Sequence, residues 1–312
     1  MYALGSFAGE DEQPFPGLVL GGQQVVDLSG YGWRDTKQIL NGWAAAQGVL
    51  ERLAEGDGIP LREVTTLAPL APNQILQSGA NYRGHVLDLV VAEELERGSM
   101  SREEAQALGA KLMDERVAIG EPYIFLGAAS AVSGPYDDVV LPRRGEQHDW
   151  ELELAAVIGI GGRQIPKEQA LSHVAGYTIA NDLTTRDLVY RPDLKAIGTD
   201  WLRAKNAPTF LPLGPWIVPA KFIHDPQSLA ITLSVDGQLM QDATTADMIF
   251  DVATLVSYAS SLVTLHPGDV ILTGSPAGNG MHHRRFLKPG DVIEASITGL
   301  GAQRNLCVAE GT

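Results

Sequence analysis

The chain reads as short apolar runs punctuated by glycine and proline, with helical spacing in only a few stretches. From residue 121 onward the apolar or alternating runs cover residues 123–126, 139–141, 150–160, 176–180, 216–218, 229–235 and 270–273. Each is short and bounded by turn-forming residues, which marks strands. Helical spacing occurs over residues 36–54, where Leu40, Trp43, Ala44 and Leu50 recur, and again over 248–262. Residues 17–28 predict a hairpin around Gly21-Gly22. An amphipathic helix is expected over 85–97, and Ser101-Arg-Glu-Glu104 is a capping box opening a second helix to about Glu115. The proline-bearing stretch 67–72 suggests a boundary. The pattern predicts a small N-terminal α/β domain over 1–70. It is followed by a β-rich α+β domain over 71–312, with a helical insertion at about 86–119. His266-Pro-Gly-Asp-Val-Ile271 is echoed by Lys288-Pro-Gly-Asp-Val-Ile293. Pro then Gly suits a type II turn, so two similar turns feed two strands of a barrel-like or rolled sheet.

Composition narrows the classes. Of 312 residues, 45% are apolar and 20% charged, an ordinary globular balance in a chain long enough to bury a large core. The single cysteine, Cys307, cannot pair within the chain, which points to a reducing compartment. Acids outnumber bases 38 to 23, for a net charge of −15, so nucleic acid and anionic membrane surfaces are not expected partners. No apolar run reaches the roughly 18 residues of a membrane span. The opening MYALGSFAGEDEQ lacks the basic region and apolar core of a signal peptide. The expected location is cytoplasmic.

The segment from His148 to Gly159 carries the most chemistry. As a strand, it places Glu151 and Glu153 on one face and Trp150, Leu152, Leu154 and Ala156 on the other. Two carboxylates about 7 Å apart at Cα repel, so something positive should compensate. Oxygen ligands favour a hard cation such as Mg²⁺, with Mn²⁺ or Ca²⁺ as alternatives. The competing reading is a solvated face of an edge strand. Asp182, at the end of a predicted strand, is a candidate third ligand or a helix N-cap. Arg186 is either a surface arginine or a clamp for a substrate carboxylate.

His85 and Asp88 stand three apart on a predicted helix and share a face, as a base and its orienting carboxylate would. Lys205 lies in a polar stretch expected to be loop, residues 188–207. Residues 273–280, rich in glycine, follow a strand; their backbone N–H groups and Ser275 suit an anionic oxygen. His282 and His283 read as solvated, and Cys307 as core.

Seven motifs in order carry a family resemblance. They are Asn81-Tyr-x-x-His85, the Asp149-Trp-Glu-Leu-Glu-Leu run, the Asn181-Asp-Leu-Thr-Thr-Arg-Asp run, Lys205 with Gly214-Pro-Trp, Pro267-Gly-Asp-Val-Ile, the Thr273-Gly-Ser-Pro-Ala-Gly loop and Lys288-Pro-Gly-Asp. Over roughly residues 72–310 the chain resembles the fumarylacetoacetate hydrolase (FAH) family. The resemblance implies a rolled mixed β-sheet, usually dimeric, and a divalent metal, Mg²⁺ or Mn²⁺, on Glu151, Glu153 and Asp182. It also implies a dyad of His85 and Asp88, a catalytic Lys205, and substrate contacts from Tyr82, Arg186 and Ser275. Asp88 stands where relatives often carry Glu. Ser275 and Asn279 replace the more usual Thr and Val. The insertion after residue 88 is longer than in compact members.

The expected activity is metal-dependent hydrolysis of a C–C bond next to a carbonyl, in an acylpyruvate-like or fumarylacetoacetate-like 2-oxo acid or 1,3-diketone, as in aromatic catabolism. Decarboxylation, isomerisation or hydration of a 2-oxo acid would use the same site. A non-catalytic small-molecule or metal-binding protein is the reading from another class. The helical insertion is expected to act as a lid.

Overall fold

The alternating run around Leu152 becomes the centre of a six-stranded mixed sheet. Its order is Val218–Pro219, Val174–Asn181, Leu152–Ile158, Val270–Leu272, Ile75–Gly79 and Tyr123–Gly127. Neighbours run antiparallel except Val270–Leu272 and Ile75–Gly79, which pair in parallel. The structure is a computed structural model. It describes residues 1–98 and 100–311; Ser99 and Thr312 lie outside the described residues, as do the side chains of Leu89, Ala92, Glu93, Glu96, Lys195 and Ile197.

Every residue of Leu152–Ile158 is buried, so this is an interior strand and not the edge strand of the competing reading. The two faces separate as the alternation requires. Leu152, Leu154, Ala156 and Ile158 join one apolar cluster with the helix Val252–Leu262. Ala155 and Val157 join the other. A second, five-stranded sheet runs Gln238–Thr244, Ala230–Val235, Val292–Ile297, Gly301–Ala309 and Val139–Leu141. Its inward residues Ile231, Leu233, Ile293, Ala295 and Cys307 pack in the first cluster. The echoed turns enter the two sheets in the same way. Gly268 and Gly290 take φ of 85° and 98°, and Asp269 and Asp291 accept from the backbone N–H groups of His266 and Lys288. The architecture is sheet-rich α+β with curled sheets, as expected.

Residues 1–70 contribute a five-stranded antiparallel sheet, with Pro14–Leu20 and Gln24–Asp27 forming the hairpin. Leu4 and Ile217 exchange two backbone hydrogen bonds, at 2.8 and 2.7 Å, and Leu4, Leu18, Ile39 and Leu40 share a core with Ala155 and Val157.

Several boundaries differ from expectation. The helix expected over 36–54 is two helices, Thr36–Asn41 and Trp43–Leu53, broken at Gly42, whose φ of −110° is not helical. The strand expected over 150–160 is shorter, Leu152–Ile158, with His148–Asp149 forming a separate short strand against Thr184–Thr185. The stretch 188–207, expected as loop, holds a 3₁₀ segment, Pro192–Ile197, and the short helix Trp201–Lys205, N-capped by Asp200. The helical insertion forms as Arg83–Arg97 and Arg102–Ile119, and the Ser101–Glu104 capping box is present.

Candidate active site

Strand pairing delivers the acids to one place. Leu152 lies opposite Asn181 and Glu153 opposite Ala180. At the end of the ladder the Glu151 N–H donates to Asn181 Oδ1 at 2.9 Å, and the Asp182 N–H donates to the Glu151 carbonyl at 2.8 Å. Glu151, Glu153 and Asp182 are therefore neighbours, and all are buried.

Lys205 is brought against them by the helix Trp201–Lys205. Its Nζ donates to Asp182 Oδ2 at 2.7 Å, to Glu151 Oε1 at 3.2 Å and to the Asp182 carbonyl at 3.1 Å. Arg186 is a clamp, but on protein groups. Its Nε donates to Asp149 Oδ2 at 2.8 Å, and Nη2 lies 2.9 Å from Glu151 Oε1 as an ion pair without hydrogen-bond alignment. Thr184 Oγ1 donates to Glu151 Oε1 at 2.7 Å, and Gln77 Nε2 to Asp182 Oδ1 at 2.6 Å.

These contacts set the charge states. Burial works against a charged Glu151, yet Arg186 and Lys205 hold its carboxyl down to about 2. Burial raises Asp182 to about 6 despite Lys205. Glu153 lies well above the usual carboxylate range because of burial and the nearby charge of Asp182; it accepts a hydrogen bond from the Gly274 N–H at 2.6 Å. Burial opposes the Lys205 charge, but Asp182 and Glu151 raise it above its ordinary value.

His85 is buried beside this cluster, and desolvation lowers it to about 4, with Glu151 opposing. Its Nδ1 lies 3.5 Å from Asn279 Nδ2. The expected contact with Asp88 is replaced by another. Asp88 Oδ2 pairs with His282 Nδ1 at 3.2 Å, with both side chains about half exposed. The aspartate is one methylene shorter than glutamate, and His282, expected to be solvated, is within its reach. Tyr82 is wholly buried in the core, and burial pushes its hydroxyl well above the ordinary phenol range. Ser275 Oγ accepts from Gln241 Nε2 at 2.9 Å, so the protein already engages it. The Gly274 N–H, expected to meet an outside anion, is turned onto Glu153.

Sequence reasoning did not single out Asp149 and Gln77. Asp149 is fully buried, pairs with Arg186 and accepts the N–H groups of Gly280 and Met281. Its place one turn of the alternation before Glu151 was the available signal. Gln77 had none, since only the sheet order brings it beside Asp182.

The donor set suits a divalent cation by charge. Four buried carboxylates, Asp149, Glu151, Glu153 and Asp182, face two cations, the buried Lys205 and the largely buried Arg186. Two negative charges are left over when all are ionised, and Gln77 Oε1, on the side chain that donates to Asp182, has no hydrogen-bond partner among the described residues. Among the described residues the carboxylates are not already drawn into a ligand cluster; Lys205 lies between two of them. A cleft of about 880 Å³ between Gln24, Arg62 and Tyr136 shares no residue with this site.

Residues 74–308 match the family described as fumarylacetoacetate (FAA) hydrolase, C-terminal. The chain is 34% identical over 302 residues to 2,4-didehydro-3-deoxy-L-rhamnonate hydrolase of Sphingomonas sp. (strain SKA58), covering 95% of this chain and 93% of that protein. It is 38% identical over 254 residues to oxaloacetate tautomerase FAHD2B of Bos taurus, covering 80% and 71%. Maleylpyruvate hydrolase from Sphingobium sp. SYK-6, solved with manganese(II) and pyruvate, superposes with a TM-score of 0.74 at 28% identity, covering all of both chains. By sequence and by fold the chain belongs to the fumarylacetoacetate hydrolase family of enzymes.

Proposed function

We propose that the protein hydrolyses the C–C bond of a 2,4-dioxo acid of the acylpyruvate type, giving a carboxylic acid and pyruvate. The observation that carries this reading is the Lys205 ammonium bridging Glu151 and Asp182 within hydrogen-bond reach, in a buried cluster beside His85. Glu151, Glu153 and Asp182 would hold Mg²⁺ or Mn²⁺, displacing the Lys205 ammonium from part of its contacts. When bound, the ion supplies Lewis-acid polarisation of the substrate's 2-oxo group.

His85, kept neutral by burial, takes a proton from water, and the hydroxide adds to the distal carbonyl carbon. The bond from that carbon to the methylene breaks, and its electron pair stays on the methylene side, conjugated with the 2-oxo group. Lys205 stabilises the negative charge that develops there. The proton held by His85 returns to the methylene carbon. Asp88 orients His85 once it leaves His282. The working unit is a homodimer, which light scattering would test.

One observation favours a second reading. With Asp88 on His282, His85 lacks its orienting carboxylate, and a proton shift needs no activated water. Isomerisation or tautomerisation of a 2-oxo acid, as named for the tautomerase relatives, is therefore the alternative, ahead of decarboxylation and hydration. Product analysis on a panel of 2-oxo and 2,4-dioxo acids, with Mg²⁺ or Mn²⁺ and after chelation, separates them. Hydrolysis predicts pyruvate plus one acid with metal present. Glu151→Ala retaining full activity and full metal content would refute the metal-site reading.

A further inference from the structure

Glu153 stands on one face of the six-stranded sheet, with Glu151 and Asp182 one residue beyond the ends of their strands beside it, and that face continues to an aromatic surface. Glu153 and Ala155 share a face, being two residues apart. Ala155 is paired with Leu272, Leu272 with Gln77, and Gln77 with Phe125. Register partners present their side chains on the same side of a sheet. Phe125 and Tyr123 thus stand on the acid-bearing face, and Gln77 Nε2, hydrogen-bonded to Asp182, bridges the two regions.

A third ring completes the surface. Trp201 stacks on Phe125 with ring centroids 5.0 Å apart and planes at 15°, and its Nε1 donates to the Tyr123 hydroxyl at 2.8 Å. Lys205 lies four residues on, and its Nζ is 5.7 Å from the Trp201 ring centroid. The aromatic surface begins one ring away from the ammonium that touches Glu151 and Asp182.

Two glycines make room for it. A Cβ on Gly79 would lie 2.7 Å from the Tyr123 ring, and one on Gly127 would lie 2.9 Å from the Gln77 side chain. Both distances are closer than a side chain tolerates, so the ring and the amide rest directly on the backbone beside them. This is a seated surface and not a chance meeting of exposed rings.

We propose that Trp201, with Phe125 and Tyr123, forms the specificity wall for the acyl end of the substrate, and that it selects an uncharged aryl or extended apolar end over a carboxylate. The inference rests on the acylpyruvate reading above and adds the substrate class. The rings offer stacking area, worth about tenfold in affinity for an aromatic partner. Lys205, the cation against Trp201, faces Glu151 and Asp182 and, in the reading above, the charge developing at the methylene, so it serves the reacting end and not the acyl end. A carboxylate placed on the rings would lose water without gaining a partner.

The test compares 2,4-dioxo acids ending in phenyl, in methyl or in a carboxylated vinyl group. The wild-type enzyme is expected to favour the phenyl compound at least tenfold in kcat/KM over each of the others. Trp201→Ala should reduce the phenyl-to-methyl ratio about tenfold, mainly through KM, and Trp201→Phe should restore most of it. Equal losses on phenyl and methyl would leave Trp201 only a support for Lys205 and overturn the proposal, as would a preference for the carboxylated end. If no dioxo acid is turned over, the hydrolase reading fails, and calorimetry with phenylpyruvate and pyruvate decides the wall by itself. Tighter binding of phenylpyruvate that is lost in Trp201→Ala supports it, and equal binding of the two overturns it.

Discussion

Lys205 Nζ lies 2.7 Å from Asp182 Oδ2, and this contact is the hinge of the site's electrostatics. Both groups are buried, so neither charge has water to fall back on. Truncating one partner of such a pair costs about 3–5 kcal/mol, because it strands the other. Lys205→Ala should therefore lower the melting temperature at neutral pH. The deficit should shrink on acidification toward pH 5, as Asp182, already raised to about 6, takes up a proton. Activity is expected to fall at least 100-fold. Thermal melts across pH, alongside kcat, check both.

Glu153 separates metal binding from folding. Burial pushes its carboxyl well above the usual carboxylate range, and its hydrogen bond from Gly274 can be accepted by an amide oxygen. Glu153→Gln is expected to leave stability within about 1 kcal/mol of wild type, since the acceptor and the shape are kept. Affinity for Mn²⁺ should drop at least tenfold, read by calorimetric titration. An unchanged Mn²⁺ affinity would remove Glu153 from the ligand set.

His85 gives a pH prediction with a definite sign. Its folded value is depressed to about 4 from an ordinary value near 6.5, so between those limits the unfolded chain binds the extra proton. The contribution of His85 to stability is complete above about pH 6.5 and declines as pH falls toward 4. Denaturant unfolding of wild type and His85→Gln should show a steeper loss in wild type across that window. The His85 ring resonances should stay those of neutral imidazole down to about pH 4.

Asp88 has two potential partners, and the mutants separate them. The Asp88–His282 pair is half exposed, so His282→Ala is expected to change stability by less than about 1 kcal/mol. Under hydrolysis, Asp88→Asn should lower kcat at least tenfold, and His282→Ala should leave kcat equal or higher by freeing the carboxylate. If Asp88→Asn has no effect on turnover, the dyad is absent from the reaction.

The insertion is tied down more firmly than a free lid. Arg116 donates to the Ala80 carbonyl at 2.6 Å and lies over the Phe250 ring, 5.5 Å from its centroid, while Arg83 pairs with Asp114 to join the insertion's two helices. A hydrogen bond from a charged donor contributes about 1.5–3 kcal/mol. Arg116→Ala should destabilise by about that amount and make residues 83–119 cleave faster in limited proteolysis.

Much of the site was legible because local spacing encodes it. The i, i+2 spacing of Glu151 and Glu153 placed both on one face, and the strand end at Asn181 placed Asp182 where ligands gather. The capping box at Ser101 and the turns at Gly268 and Gly290 are equally local, and they form as read. The strand Gln238–Thr244 was missed because its residues are largely polar, as suits a sheet edge. The partner choice of Asp88 escaped for another reason. It depends on where the short helix Gly280–His283, nearly two hundred residues away, delivers His282, which no local pattern records. The aromatic surface was invisible for the same cause, since Gln77, Phe125 and Trp201 meet only through the sheet order and one short helix.

The strand that bears the acids changes character halfway along one face. Glu151 and Glu153 are followed there by Ala155 and Val157, which pack with Leu4, Leu18 and Leu40 from the first seventy residues. The opening unit is thus electrical insulation for the lower end of the acid row. Trimming it, or grafting a substitute, would let water reach that row and retune its ionisation even where no reacting group has been touched.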